Sequence, residues 1–362
     1  MGQQFKNACL LSELMKATRQ CAKNVRWKAS VVAYEDKALL KNYVLAKEIR
    51  KGSYEISSYI QFHVHEPKER LIHAARIRDR VWQRSMRNNG VYDDMTRGLL
   101  YENAACQVGK GTDFSVENLK KQLRRYYRRY NTNKGWAAHL DIRRYFPSTP
   151  HIVAKETLRQ RIRDPDLLRH TEAIVDSFKD ARTTEAIAQD PVRRGIYLGS
   201  EMSQLIQLGN PDRLDHYMKE RMHIRYYDRY MDDFILIDNS KGHLMECVEY
   251  IETALHGMGL ALNKKSSVFP LESGIKYLKR RFILTKTGKV IVLADRKEVA
   301  KERKKLRKLK GLLDKGRLTM ADVQAHYEAW TANKKKANTR GLRKQMNRYY
   351  YGLFGEKPTV TL

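Results

Sequence analysis

Three carboxylates are placed where a chain could use them for chemistry. Asp232 and Asp233 are adjacent, with strand-forming residues leading in (Ile224, Tyr226, Tyr230) and leading out (Phe234, Ile235, Leu236, Ile237). Such flanks make the pair the tight turn of a β-hairpin. Asp is a common turn residue, so a solvated turn is the plain explanation. Two like charges side by side repel, however, and a metal cation relieves that cost. A third carboxylate, Asp141, closes the short apolar lead-in of "GWAAHLDIRRYFPS", and a glycine-containing loop, "GIYLGSEMSQ", opens a helix between the two sites. Carboxylates converging from a strand end and a hairpin turn suit two divalent ions about 3.5–4 Å apart. Such a pair of ions can activate an attacking oxygen and stabilise the leaving one in an in-line displacement.

Composition bounds the scaffold that must carry these residues. At 362 residues the chain can bury a core of two or three subdomains. Lys and Arg number 71 against 41 Asp and Glu, a formal charge of +30. A surplus of that size points to a polyanion, nucleic acid first. No apolar run reaches the roughly 18 residues of a spanning helix, and the start of the chain lacks a signal-peptide h-region. It begins Met-Gly, but Lys6 stands where myristoylation requires Ser or Thr. Cys9, Cys21, Cys106 and Cys247 are scattered with no C-x-x-C, which argues against structural zinc or a disulfide framework and fits a reducing cytoplasm.

Patterning predicts an α+β chain in three parts. Residues 1–58 read as a helical extension, with apolar residues at helical spacing around Leu10, Leu14 and Met15 and again at Leu39, Leu40, Val44 and Leu45. In residues 59–285, "SYIQFHVHEPKERLI" reads as strand, Pro67 turn and strand, and 76–130 as helix, loop, helix. A strand ending near Asp141, helices over 151–180 and 200–220, the Asp232–Asp233 hairpin and a helix over 241–258 follow. "GIKYLKRRFILTKTGKVIVL" reads as two or three short strands with a Thr287–Gly288 turn. Residues 286–362 form a basic helical end, where "KERKKLRKLK" has seven basic residues and one acidic. Leu306, Leu309, Leu312 and Leu313 give it an apolar stripe, so one face packs and the other meets solvent or phosphates.

In this order the motifs resemble those of reverse transcriptases, in particular the prokaryotic enzymes related to group II intron proteins. "YMDD" (Tyr230–Asp233) is similar to their signature tetrad and "LDIRRYFPS" to their motif A, and the likeness runs over about residues 60–285. The resemblance implies a right-hand polymerase with fingers and palm built from antiparallel sheet and helices, and a helical thumb. It makes Asp141, Asp232 and Asp233 the catalytic ligands of two Mg²⁺ ions, with Mn²⁺ as a substitute. Phe146, five residues after Asp141, takes the place of the steric gate against a ribose 2′-hydroxyl, where a core aromatic is the bland reading. "EPKERLI" resembles the fingers motif that grips the incoming triphosphate, through Lys68 and Arg70, and "RIRDRVWQ" resembles the segment downstream, making Arg76, Arg78 and Arg80 template or phosphate contacts. Arg124, Arg125 and Arg128 in a tyrosine-rich run, and Lys304, Lys305 and Lys308 in the thumb, complete the expected nucleic-acid surface.

Several positions depart from the family pattern. Gln107 and Val108 replace a usual Arg-Pro, and Tyr277-Leu278-Lys279 replaces a usual Phe-Leu-Gly near the primer grip. Where intron-type enzymes have Gln-Gly and then Ser-Pro, this chain has Leu198-Gly199 and then Ser203-Gln204. That substitution looks like reverse transcriptases of diversity-generating retroelements, whose copying of adenines is error-prone, and it places Leu198, Gly199 and Gln204 at the dNTP. The motif D lysine falls by counting on Ser266, with Lys265 one step away as the dNTP-side candidate. The implied activity is RNA-directed DNA synthesis in such a retroelement. The alternatives are an anti-phage defence reverse transcriptase using a non-coding RNA template and, from another class, a catalytically idle RNA-binding scaffold. A bulky Phe146 disfavours an RNA-templated RNA polymerase. Expected partners are a structured non-coding template RNA, a cDNA primer or product, dNTPs and a small basic accessory protein, with no membrane, for a cytoplasmic protein of bacterial or phage-encoded origin.

Overall fold

In a computed structural model, which describes residues 1–65, 69–180, 182–334 and 338–359, the chain is α+β with antiparallel sheets, as its patterning implies. Lys68 lies outside the described residues. Four helices open the chain: α1 (Gln3–Ala8), α2 (Leu11–Ala22), α3 (Ala29–Glu35) and α4 (Ala38–Lys51). The hairpin β1 (Ile60–Val64) and β2 (Arg70–Ala74) follows, then α5 (Ile77–Met86), a π-turn over Arg87–Val91, α6 (Tyr92–Thr96) and α7 (Thr112–Tyr130). Next come β3 (Trp136–Asp141), α8 (Tyr145–Ser148), α9 (His151–Arg161), α10 (Pro165–Asp176), α11 (Thr184–Gln189), α12 (Glu201–Gly209) and α13 (Asp212–Glu220). The carboxylate hairpin is β4 (Tyr226–Tyr230) and β5 (Asp233–Asp238), followed by α14 (Lys241–Gly257), β6 (Ser267–Pro270), β7 (Ile275–Tyr277), β8 (Arg280–Leu284) and β9 (Val290–Ala294). Helices α15 (Arg296–Leu313), α16 (Met320–Lys334) and α17 (Arg340–Phe354) end it.

The central sheet has the order β4-β5-β3-β6, and the alternation of its side chains feeds two cores. Phe234 and Leu236 of β5 face one core with Leu244, Ile251 and Leu255 of α14. Ile235 and Ile237 face the other, with Leu119 and Leu123 of α7 and the β7-β8-β9 sheet. A third core joins the N-terminal helices to α5 through Phe5, Leu14, Leu45, Ile49 and Trp82. Val299, Leu306, Val323, Tyr327, Met346 and Tyr350 pack α15, α16 and α17 together.

Four details differ from the sequence reading. The helix expected over 151–180 breaks before Pro165, because Asp164 caps α10 by accepting from the Asp166 and Leu167 amides. The helix expected over 200–220 breaks at Pro211. Of the second apolar set in the N-terminal extension, Leu45 is buried, whereas Leu39, Leu40 and Val44 are exposed. The 285/286 boundary falls between β8 and β9, and the helical end begins at Arg296. No helix among the described residues is long and apolar enough to cross a membrane.

Candidate active site

Strand pairing brings the three aspartates together. In the β3–β5 ladder Asp141 stands directly opposite Asp233, and Asp232 lies in the two-residue loop between Tyr230 and Asp233. The Ile142 amide donates to the Asp232 carbonyl at 3.1 Å, so the turn is tied to the end of β3. Met231, the other loop residue, has φ +59°, a left-handed conformation that a side chain of its size adopts at a cost.

What holds that turn is a buried ion pair behind it. Arg229 and Asp215 are both fully buried. Arg229 Nε donates to both Asp215 oxygens at 2.7 and 2.8 Å, and Nη2 donates to Asp215 at 2.6 Å. The rest of the fork reaches the backbone: Nη1 donates to the Met231 carbonyl and Nη2 to the Leu208 carbonyl, each at 2.9 Å. The Tyr227 hydroxyl donates to Asp215 at 2.5 Å. A planar guanidinium with several N–H groups can serve a carboxylate and two carbonyls at once, which an ammonium cannot do in the same geometry.

Each outer carboxylate has its own neighbour. Asn263 Nδ2 donates to Asp141 Oδ2 at 2.8 Å, the Asn263 amide donates to the Asp141 carbonyl at 2.7 Å, and the Asp141 amide donates to Ser266 Oγ at 3.1 Å. His139 Nε2 lies 3.2 Å from Asp233 Oδ1. Burial first, then the charges of Asp233 and Asp141, push the Asp232 carboxyl up to about 6, while Arg70 pulls the other way. The repulsion expected from the sequence is therefore present in the fold, and bound cations would relieve it. Among the described residues no three His, Cys, Asp or Glu side chains are already gathered into a metal cage. The donor chemistry nevertheless fits: hard carboxylate oxygens from two strands and a turn are what Mg²⁺ takes. Asp141, Asp232 and Asp233 are the residues that would hold it.

A cavity of about 730 Å³ contains the nucleotide-side candidates Arg70 and Leu198, together with Arg143 and Arg144. The Leu198 carbonyl accepts from the His73 amide at 3.1 Å, which joins this loop to β2. Gly199 sits at φ +111°, and a Cβ there would lie 2.8 Å from Ile72 Cγ2, so the close approach needs glycine. Phe146 is half-buried between two cores, its carbonyl accepting from the Ile196 amide at 2.8 Å, and it does not line the cavity. Gln204 is exposed with Oε1 3.6 Å from Cys106 Sγ, and Lys265 is exposed with its amide on Asn263 Oδ1. Leu278 and Lys279, in the departure near the primer grip, both have positive φ (47° and 61°) in the β7–β8 turn.

The expected nucleic-acid residues divide into two groups. Arg76 donates to Ser58, Arg78 pairs with Glu48 over the Tyr54 ring, and Arg80 donates to the Cys21 carbonyl, so the last two bind the N-terminal helices to α5. Arg124, Arg125 and Arg128 are exposed on α7, and Lys304 and Lys308 are exposed on α15, where Lys305 is half-buried. The sequence reading missed Asn263, His139 and the Arg229–Asp215 pair. Asn263 ends "LALN" (260–263) and Arg229 lies inside "RYYDRYMDD", but only the fold shows what each touches.

No protein-family model and no curated protein sequence matches the chain. Solved structures similar to it include the telomerase of Candida albicans in complex with the TWJ fragment of telomeric RNA, at TM-score 0.47 and 14% identity over 71% of this chain and 49% of that one. Apo telomerase from Candida tropicalis aligns at TM-score 0.46 and 10% identity over 69% of this chain and 52% of that one. A form of it truncated from its C-terminal domain aligns at TM-score 0.45 and 10% identity, over 70% and 60%. The chain thus spans about half to three-fifths of the length of these structures. These are distant likenesses of fold, and the functional reading stands on the residues of the chain itself.

Proposed function

We propose that the chain is an RNA-directed DNA polymerase that extends a primer on an RNA template. The observation that carries this reading is the register of β3 and β5, which sets Asp141 opposite Asp233 with Asp232 in the adjoining turn. Beside it lies a basic cavity containing Arg70, Arg143 and Arg144. In this reading the β1–β2 hairpin belongs to the fingers, the β4-β5-β3-β6 sheet is the palm, and α15 to α17 form the thumb.

Two Mg²⁺ ions, when bound, would lower the pKa of the primer 3′-hydroxyl and balance the charge of the triphosphate. The work of the protein is placement. Asp141, Asp232 and Asp233 would hold the ions, Asn263 and His139 orient two of these carboxylates, and Arg229 fixes the turn. Arg70 would pair with the phosphates, and Phe146 would exclude a 2′-hydroxyl only after its ring turns toward the sugar. An idle scaffold gains nothing from an aspartate whose burial beside two like charges costs stability, which favours the catalytic reading over that one.

Leu198 supports error-prone copying, as in a diversity-generating retroelement. Its side chain has no amide with which to hold a base or sugar in register, so a misplaced substrate forfeits no hydrogen bond. The defence alternative shares the same core, and a neighbouring template repeat with an adenine-variable copy would separate the two. The activity itself is tested by primer extension on an RNA template with Mg²⁺. The expected result is dNTP incorporation that a chelator stops, with ribonucleotides used poorly. Incorporation of ribonucleotides alone, or none of either, would overturn the proposal.

A further inference from the structure

A second concavity, of about 690 Å³, shares no lining residue with the nucleotide-side cavity. Four cations line it: Arg125 and Arg129 from one face of α7, Lys219 from α13, and Arg225 at the entry to β4. Glu102 also lines it, but Lys219 Nζ lies 2.8 Å from that carboxylate and neutralises it. Arg125, Arg129 and Arg225 are exposed, and among the described residues none of them has an ion pair. All three line the same concavity as Tyr226, whose hydroxyl burial raises and whose rise the charges of Arg129, Arg225 and Arg125 oppose.

The floor beneath them is fixed. Asn118 Nδ2 donates to buried Asp228 at 2.7 Å and Gln122 Nε2 donates to the Tyr227 carbonyl at 2.5 Å. At the rim, Tyr101 is 58% exposed, with its ring set edge-on against Phe114 at 5.0 Å. Tyr226 is at the far end of β4 from the Asp232 turn, roughly 15–20 Å away at about 3.3 Å per strand residue. The groove is therefore separate from the carboxylates.

We propose that this groove binds a single strand of nucleic acid outside the catalytic cleft. Its phosphodiesters would lie on Arg125, Arg129 and Arg225, and an unstacked base on Tyr101. Neighbouring guanidiniums bind phosphate, and an exposed aromatic ring is a stacking platform for a base that has left its helix. A duplex offers phosphates but no free base face, so the combination favours a single strand. This assignment reads binding and stands whether or not the chain polymerises. The strand is either RNA or DNA, which share this chemistry.

The test uses the full chain and short fluorescent RNA, DNA and duplex probes, with affinity measured over a range of salt. Replacing Arg125, Arg129 and Arg225 with Gln should weaken single-strand binding about tenfold or more and reduce the log–log salt slope by about 2, at about 0.7 per phosphate contact. Tyr101→Ala should weaken binding several-fold and leave the slope unchanged, the signature of stacking. Replacing the same three arginines with Lys should keep the slope, which shows that the Gln variant lost charge rather than fold. The probe that loses more affinity, RNA or DNA, identifies the strand. Two results would overturn the proposal. One is an Arg124→Gln/Arg128→Gln variant that loses as much as Arg125→Gln/Arg129→Gln, since charge anywhere on α7 would then suffice. The other is a duplex that loses as much affinity as the single strands.

Discussion

Removing the Arg229 guanidinium should separate two effects that its hydrogen bonds combine. Arg229→Met leaves Asp215 fully buried with Tyr227 as its remaining charge-stabilising donor, and leaves the Met231 carbonyl unheld. Breaking a buried pair by deleting one partner costs about 3–5 kcal/mol of folding stability. The loss of the donor to the turn bears on activity separately. A buried hydrogen bond is worth about 1–3 kcal/mol when its partner is left unsatisfied, and if that is lost from the placement of Asp232 it lowers the extension rate roughly 10- to 100-fold. The double variant Arg229→Met/Asp215→Leu removes the stranded charge and should recover much of the stability, because apolar replacement of a buried pair is often neutral or better. It still lacks a donor to Met231, so its extension rate should stay low. Urea unfolding and single-turnover extension across a Mg²⁺ titration measure the two quantities on the same proteins. A double variant that regains both stability and full extension would refute the reasoning, because the pair would then serve packing alone.

Further outcomes follow from other residues. Leu198→Gln should lower misincorporation about 10- to 100-fold, most clearly opposite template adenine, as one discriminating contact is worth about 1–3 kcal/mol; sequencing cDNA from both enzymes on an adenine-rich RNA checks this, and equal error spectra would leave Leu198 as loop packing. Burial pushes the Asp228 carboxyl from its ordinary 3.8 up to about 6, against donors from Ser115, Asn118 and Tyr277. The folded state thus binds a proton that the unfolded state releases, so the contribution of this carboxyl to stability is fully present below about 4 and falls by about 3 kcal/mol as pH rises through about 6. Asp228→Asn should reduce this fall, leaving one of the same sign from Asp232, whose carboxyl is also pushed up to about 6, and unfolding midpoints between pH about 4 and 7 would show an unchanged slope if the assignment were wrong. Gly199→Ala should weaken the contact between the Leu198 loop and β2, because its Cβ would crowd Ile72 and hold a strained φ, and a raised KM for dNTP at a modest cost in stability is the expected reading.

The parts of this site that were legible in the sequence are those with local causes. Alternating apolar residues on both sides of Asp232 and Asp233 define a hairpin, and the lead-in to Asp141 defines a strand end, because strand periodicity is written within a few residues. Their mutual register was not legible: the β3–β5 pairing joins positions about 90 residues apart, and it decides that Asp141 meets Asp233. The same holds for Asn263 and His139, whose neighbours identify them only after the sheet forms. Arg78 and Arg80 illustrate the reverse case. Their motif suggests phosphate contacts, but α2 and α4 pack against this part of the chain and give both side chains partners. The strand β6 is four residues long and was invisible to periodicity, yet it completes the sheet beside β3.

Asp232→Asn tests the central claim most directly, because it removes one charge from the turn while keeping its shape. Extension of a primer on RNA and binding of that RNA should be measured on the same preparation with Mg²⁺. The account requires extension to be lost and RNA binding to stay at the wild-type level, since the carboxylate serves the cations while affinity comes from the basic surface. Extension at near the wild-type rate would contradict it.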